Sequence, residues 1–233
     1  MQLGYKQYLK DTKLIQNDGY FCTFEYGEII DPFKIYCEEV NIINKIYNND
    51  DGYFDFSKNI IDIGSCIGTY SFILPFNYSY MFEGNKKFCI IAEFNMLLHN
   101  KENKFTQYIT LLSDKNELIS YDGFETNYTY ENNENKIFTN KILSTTLDEY
   151  NLDNIGFIKI DVEGMEYKVL NGGIETIKRN NYPPILFELW PIGHNNMSKE
   201  RHQQLVDFLE NLGYKILWKW GQFDTHLAIH KNN

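Results

Sequence analysis

What this chain lacks narrows it first. Its four cysteines, Cys22, Cys37, Cys66 and Cys89, lie far apart with no Cys-x-x-Cys pair. Neither a zinc site nor a dense disulfide framework is therefore expected, and reduced thiols fit a cytoplasmic setting. No stretch approaches the roughly 20 apolar residues that cross a bilayer, and the opening Met1-Gln2-Leu3-Gly4-Tyr5-Lys6 lacks the apolar core of a signal peptide, so no membrane is expected as a partner. Basic residues are outnumbered, with 22 Lys and Arg against 32 Asp and Glu and a formal charge of -10. A phosphate backbone is repelled on average by such a balance, which makes nucleic acid an unfavoured partner. Internal repeats are absent, and the most biased stretch, residues 132–135, reads as a polar loop tip.

What is present suits one core. The 233 residues are 43% hydrophobic and 16% aromatic, enough for one sizeable domain and short for two. Residues 1–57 mix aromatic and polar positions and read as an N-terminal extension covering the site. Within them 35–47 could form a helix with Val40, Ile43 and Tyr47 on one stripe. Residues 58–233 form the domain proper. There an apolar run at 60–63 is followed by a glycine turn and a short helix over 69–76; a second strand at 80–82 precedes a helix with Ile90, Phe94, Leu97 and Leu98 on one face.

A third strand is predicted at 108–112, a hairpin-like insertion at 118–143, and a fourth strand at 157–160 before a helix that ends near Gly172 and Gly173. Residues 185–187 supply a fifth strand. The clearest helix follows, capped by Ser198, with Leu205, Phe208, Leu209 and Leu212 as its buried stripe and Gly213 at its end. Strands at 214–220 and 226–229 close the chain as an antiparallel edge pair. Strands alternating with helices predict a doubly wound, mostly parallel α/β sheet whose ligand sits beyond the carboxyl ends of the strands.

Three clusters at those ends carry chemistry. Asp62, Gly64, Ser65 and Gly68 lie in the first strand-to-helix turn, where missing side chains let a ligand approach the backbone. The turn reads G-x-x-x-G and lacks the G-x-G-x-x-G of a nicotinamide enzyme. Glu83 closes the second strand about 20 residues on, where an acid can accept both hydroxyls of a ribose. Asp161, Glu163 and Glu166 gather at the end of the fourth strand; helix-dipole stabilisation accounts for part of this cluster, most of all for Glu166, and leaves Asp161 as the strongest functional candidate. Glu188 ends the fifth strand, and the loop after it carries His194, a side chain suited to taking a proton near neutral pH.

Together these segments resemble the FkbM family of methyltransferases. The resemblance runs from about residue 59 to 189 and is carried by Ile61-Asp62-Ile63-Gly64-Ser65-Cys66-Ile67-Gly68, by Thr146-Leu147-Asp148-Glu149, and by Phe157-Ile158-Lys159-Ile160-Asp161-Val162-Glu163-Gly164. It continues in Val169-Leu170-Asn171-Gly172, in Ile185-Leu186-Phe187-Glu188 and in Leu112-Ser113-Asp114. The chain departs from the family pattern at Ser65-Cys66, where the family has Ala-Asn, and at Gly84, where it has Pro.

The resemblance implies a class I methyltransferase fold with a Rossmann-like, seven-stranded sheet whose last strand is antiparallel. It implies S-adenosylmethionine as cofactor and usually an oxygen acceptor on a sugar or other small molecule. On that reading Asp62, Gly64, Ser65, Gly68 and Glu83 bind the donor, with Asp161 beside it and Ser113 or Asp114 next to its adenine. His194, Asp161, Glu163 and Glu188 surround the acceptor, His194 being first in order as base. No metal is included, although Asp161, Glu163 and Glu188 are of a type that can hold a divalent cation. Tyr121, Phe124, Tyr128, Tyr130 and Trp190 either offer flat faces to a sugar or pack on one another. A nucleic-acid methyltransferase and a non-catalytic S-adenosylmethionine-binding protein are the alternatives.

Overall fold

The computed structural model describes residues 23–25, 28–30, 37–121, 140–194, 197–220 and 224–232. The expected aromatic faces of Phe124, Tyr128 and Tyr130, and the greater part of the N-terminal extension, lie outside the described residues.

A short antiparallel pair, β1 (Thr23–Glu25) and β2 (Glu28–Ile30), comes first. The first strand of the domain, β3 (Asn59–Ile63), is buried at every position, as a strand covered on both faces must be. Ile61 and Ile63 point to one side of the sheet and Ile60 to the other. The strands β9 (Ile155–Ile160) and β10 (Ile185–Glu188) divide their side chains in the same alternation. On the other flank lie β4 (Ser79–Glu83) and β5 (Phe105–Ile109). With the closing β11 (Tyr214–Leu217) and β12 (Thr225–His230) they form a seven-stranded sheet in the order β5-β4-β3-β9-β10-β12-β11.

Neighbouring strands are parallel from β5 through β10. The last strand, β12, is antiparallel to both β10 and β11. It therefore inserts between them, and β11 alone forms the edge. The reason is burial: β12 is buried at almost every position, whereas β11 alternates and turns Lys215 to solvent. A strand buried on both faces has to lie inside a sheet.

Helices cover both faces. On one, α1 (Cys37–Asn48) packs Ile42, Ile43 and Ile46 against Ile60, Phe157, Leu186 and Leu227. Its stripe is not the one expected, since Tyr47 faces solvent. On the other face α4 (Glu166–Asn171) and α6 (Lys199–Asn211) bury Val169, Leu170, Leu205 and Leu209 over Ile61, Ile158 and Phe187. The helix α4 ends at Asn171, as the glycines after it predict, and between it and β10 runs a further short helix, α5 (Ile174–Arg179), that the pattern did not include.

The helix α3 (Lys86–Leu98) follows β4, but it buries Phe88, Cys89, Ala92 and Met96 while the expected core residue Ile90 is exposed. The expected third strand is broken at Thr110. Residues before it belong to β5, and Leu111–Leu112 forms β6, which leaves the large sheet to pair with β8 (Asn140–Thr145), itself antiparallel to β7 (Leu118–Tyr121).

This winding leaves β3 and β9 as neighbours whose connections leave in opposite directions along the sheet, which opens a crevice at their carboxyl ends.

Candidate active site

At that crevice the chain ends of β3, β4 and β9 are level, with Ile63 in register with Phe82 and with Ile160. The turn after β3 bends at once: the amides of Gly64 and Ser65 both donate to the Phe82 carbonyl (2.9 and 3.1 Å). Gly64 has φ +65, and a Cβ there would sit 1.8 Å from the carbonyl oxygen of Asp161. No side chain is tolerated at this contact. Gly68, at φ +81, opens the helix α2 (Thr69–Ile73).

The bend aims its backbone at Glu83. One carboxylate oxygen, Oε2, accepts from the Cys66 amide at 3.0 Å, and Oε1 accepts from the Asn85 amide at 2.7 Å. Burial pushes the Glu83 carboxyl up from its ordinary value, and these two amides pull against it. A carboxylate has about four lone-pair sites, more than these amides use.

Around this pair lies a cavity of about 290 Å³, walled by Gly64, Ser65, Cys66, Tyr70, Glu83, Gly84 and Phe88 on one side, by Thr110, Leu111 and Leu112 at the β5 end, and by Lys159, Asp161, Val162, Glu163 and Met165 opposite. Gly84 leaves room for Leu111: a Cβ on it would come within 2.6 Å of that side chain.

Of the expected residues the structure therefore brings Gly64, Ser65, Glu83, Asp161 and Glu163 to one cavity. Gly68 lies behind it, against Met81 and Ala92. Asp62 is elsewhere. It is 0% exposed, accepts from the Ser71 hydroxyl at 2.7 Å and lies 3.8 Å from the Lys159 ammonium. Burial pushes its carboxyl up, opposed by Lys159 and Ser71. Ser113 is buried beneath the site, its hydroxyl donating to Asp114 and Glu117. Asp114 lines a second cavity of about 400 Å³ between α4 and α6, which shares only Met165 with the first. The positions near the β5 end of the cavity are instead Thr110, Leu111 and Leu112.

On the far wall Asp161 is 3.8 Å from Lys159. Glu188, the neighbour of Asp161 on the next strand, lines neither cavity, and burial together with the charges of Asp161, Glu163 and Glu166 pushes its carboxyl up to about 9. It therefore carries a proton at neutral pH. His194 is exposed on its loop, its ring edge-on to Trp190 at 6.0 Å, and lines neither cavity. Trp190 itself is 5% exposed and belongs to the core, so it offers no open face for stacking. Among the described residues no group of three or more His, Cys, Asp and Glu side chains could hold a metal ion.

Lys159 escaped the sequence reading. Its ammonium donates to the Gly64 carbonyl at 2.7 Å and sits between Asp62 and Asp161. The signal was available: a lysine inside the apolar run 157–160 must bury its charge, and its partner in register on β3 is Asp62.

A glycine bend, an acid one strand away and a doubly wound sheet with one inserted antiparallel strand define a class I methyltransferase fold. The model of the methyltransferase FkbM domain matches residues 62–216, and the chain belongs to that family. Membership makes S-adenosylmethionine the cofactor. The residues present fit it: the cavity is floored by a glycine that admits no Cβ, and the buried Ser65 hydroxyl on its wall has no hydrogen-bond partner among the described residues.

Among solved structures, an FkbM methyltransferase from Methylobacillus flagellatus is similar at 17% identity and TM-score 0.53, over 84% of this chain and 51% of that one. This chain thus spans about half the length of that protein. An O-methyltransferase from Bacillus cereus, solved in complex with SAH, is similar at 14% identity and TM-score 0.46, over 97% of this chain and 87% of that one. An rRNA methylase from Streptococcus thermophilus is similar at 10% identity and TM-score 0.49, over 80% and 93%. Curated protein sequences give no match. No helix among the described residues is long and apolar enough to cross a membrane.

Proposed function

We propose that the protein is an S-adenosylmethionine-dependent O-methyltransferase that acts on a hydroxyl of a sugar or other small molecule. The observation that carries this reading is the single cavity in which Glu83, held by the Cys66 and Asn85 amides, faces the Gly64 bend on one wall and Asp161 with Glu163 on the other. When bound, the donor supplies a methyl group already activated on a sulfonium, so the protein mainly has to align an acceptor oxygen about 3 Å from it and remove a proton.

On this reading Glu83 accepts the ribose hydroxyls, and Ser65 and the backbone of Gly64 line the path toward β9. The adenine lies toward Thr110, Leu111 and Leu112 instead of Ser113 and Asp114. Asp161 and Glu163, which line the cavity, take the acceptor proton ahead of His194, and Glu188 supports them from behind in its protonated form. Residues 1–57, whose helix α1 packs on the sheet, help to choose the acceptor. The acidic balance of the chain favours an uncharged acceptor over nucleic acid. No metal is assigned, so activity is expected to survive a strong chelator.

Calorimetry with S-adenosylhomocysteine tests the donor half. Wild-type protein should bind it, and Glu83→Ala should weaken binding by about tenfold or more. No binding to the wild type, or equal binding by Glu83→Ala, contradicts the reading. Transfer of label from S-adenosylmethionine to a panel of monosaccharides and glycans then separates an enzyme from a protein that only binds the donor.

A further inference from the structure

The helix that follows β9 begins with a carboxylate, Glu166, whose place in a first turn suits the helix dipole, and the structure gives it different work. Glu166 is 2% exposed, so it does not sit in solvent at a helix end. Its Oε1 accepts from the Val162 amide at 3.0 Å and from the Gly164 amide at 3.2 Å. Those amides belong to the five-residue link between β9 and α4 that presents Asp161 and Glu163 to the cavity.

The link needs holding. Glu163 sits at φ +55, a left-handed conformation that is unfavourable for a residue with a side chain, and Gly164 follows at φ +91. From the outside, Arg201 of α6 donates to the Gly164 carbonyl at 2.8 Å. The Gly164 peptides are thus gripped by the Glu166 carboxyl on one side and the Arg201 guanidinium on the other. An apolar residue would be cheaper to bury at 166. Burial there pushes the carboxyl up to about 7, opposed by the amides it accepts from. The group kept at that cost is one that fixes the orientation of consecutive turn peptides.

We propose that Glu166 is a positioning residue: by clamping the amides of Val162 and Gly164 it sets the left-handed turn at Glu163 and so the placement of Asp161 and Glu163 on the cavity wall. This rests on the donor reading above. With the ribose at Glu83 on β4 and the adenine toward β5, the rest of the donor extends across Gly64 to the wall that Glu166 shapes. Glu166 therefore matters to a ligand with an amino-acid tail and not to one without it.

The test compares S-adenosylhomocysteine with 5′-methylthioadenosine, which keeps the nucleoside and lacks the tail, by calorimetry on the full chain. Glu166→Ala should weaken the first by about tenfold and leave the second within about twofold. Glu166→Gln, which keeps an acceptor oxygen for the amides, should restore both to within about threefold of wild type. Glu166→Asp, which withdraws the oxygen by one methylene, is the milder substitution should Glu166→Ala fail to fold, and it should show the same selective loss. Equal weakening of both ligands, or no change in either, overturns the assignment of Glu166 while leaving the donor reading intact. A wild type that binds neither nucleoside overturns the donor reading and the proposal with it.

Discussion

Asp62 lies one position before the end of β3 and Glu83 ends β4, both beside the same crevice, yet only Glu83 reaches the cavity. Side chains alternate along a strand, so Asp62 turns to Ser71 and Lys159 while its neighbour Ile63 lines the cavity. Spacing located both acids, and the alternation separated them only once the register of β3 against β9 was known. Glu188 shows the same limit. Its place at a strand end was legible, but its burial beside Asp161, Glu163 and Glu166 was not, because those neighbours come from other elements. The consequence is measurable. A carboxyl raised from 4.5 to about 9 keeps its proton in the folded protein while the unfolded chain loses it, so stability falls as pH rises between those values. Glu188→Gln removes that penalty and should raise Tm at pH 8 by at least roughly 2–4 °C. The gain should vanish below the ordinary carboxyl value, where both states are protonated. An equal gain at every pH in a thermal scan would contradict the protonated state of Glu188.

The helices differ in how well their sequence declares their buried side. In α6 one stripe is apolar and the rest polar, and Leu205 and Leu209 are buried as the pattern requires. Its start was legible too: Ser198 accepts from the Arg201 amide at 3.2 Å, and Gly213 takes φ +93 beyond its end. Ser198→Ala should cost about 1 kcal/mol, roughly 2–4 °C in Tm, and leave nucleoside binding unchanged. A change in binding larger than that in stability would mean that α6 takes part in the site directly. By contrast α3 carries apolar residues on most of its surface, among them Ile90, Ile91, Phe88 and Met96. Only the contact with α2 and the sheet decides which of them are buried. Strand ends were blurred for a related reason: Tyr108, Ile109, Leu111 and Leu112 favour a strand on both sides of Thr110 with no glycine or proline between them, and the break at Thr110 arises because β6 pairs with β8, a partner some 30 residues away.

At the scale of the molecule, the charge of -10 sets what can approach the protein, and a labelled RNA should not be retained even at low salt. Retention that weakens steeply as salt is added would reveal a local basic groove and favour the nucleic-acid alternative. The alternation of strands with helices, the doubly wound sheet, the glycine bend and the acid at Glu83 were determined by the sequence itself, since each rests on local periodicity or on a residue type that a single turn demands. Tertiary structure alone decided where β12 inserts, that Glu166 holds the turn amides beside the cavity, and that His194 lines neither cavity. Those outcomes depend on which distant segments share a register or a buried volume, and a buried charge takes its role from neighbours that one-dimensional spacing does not specify.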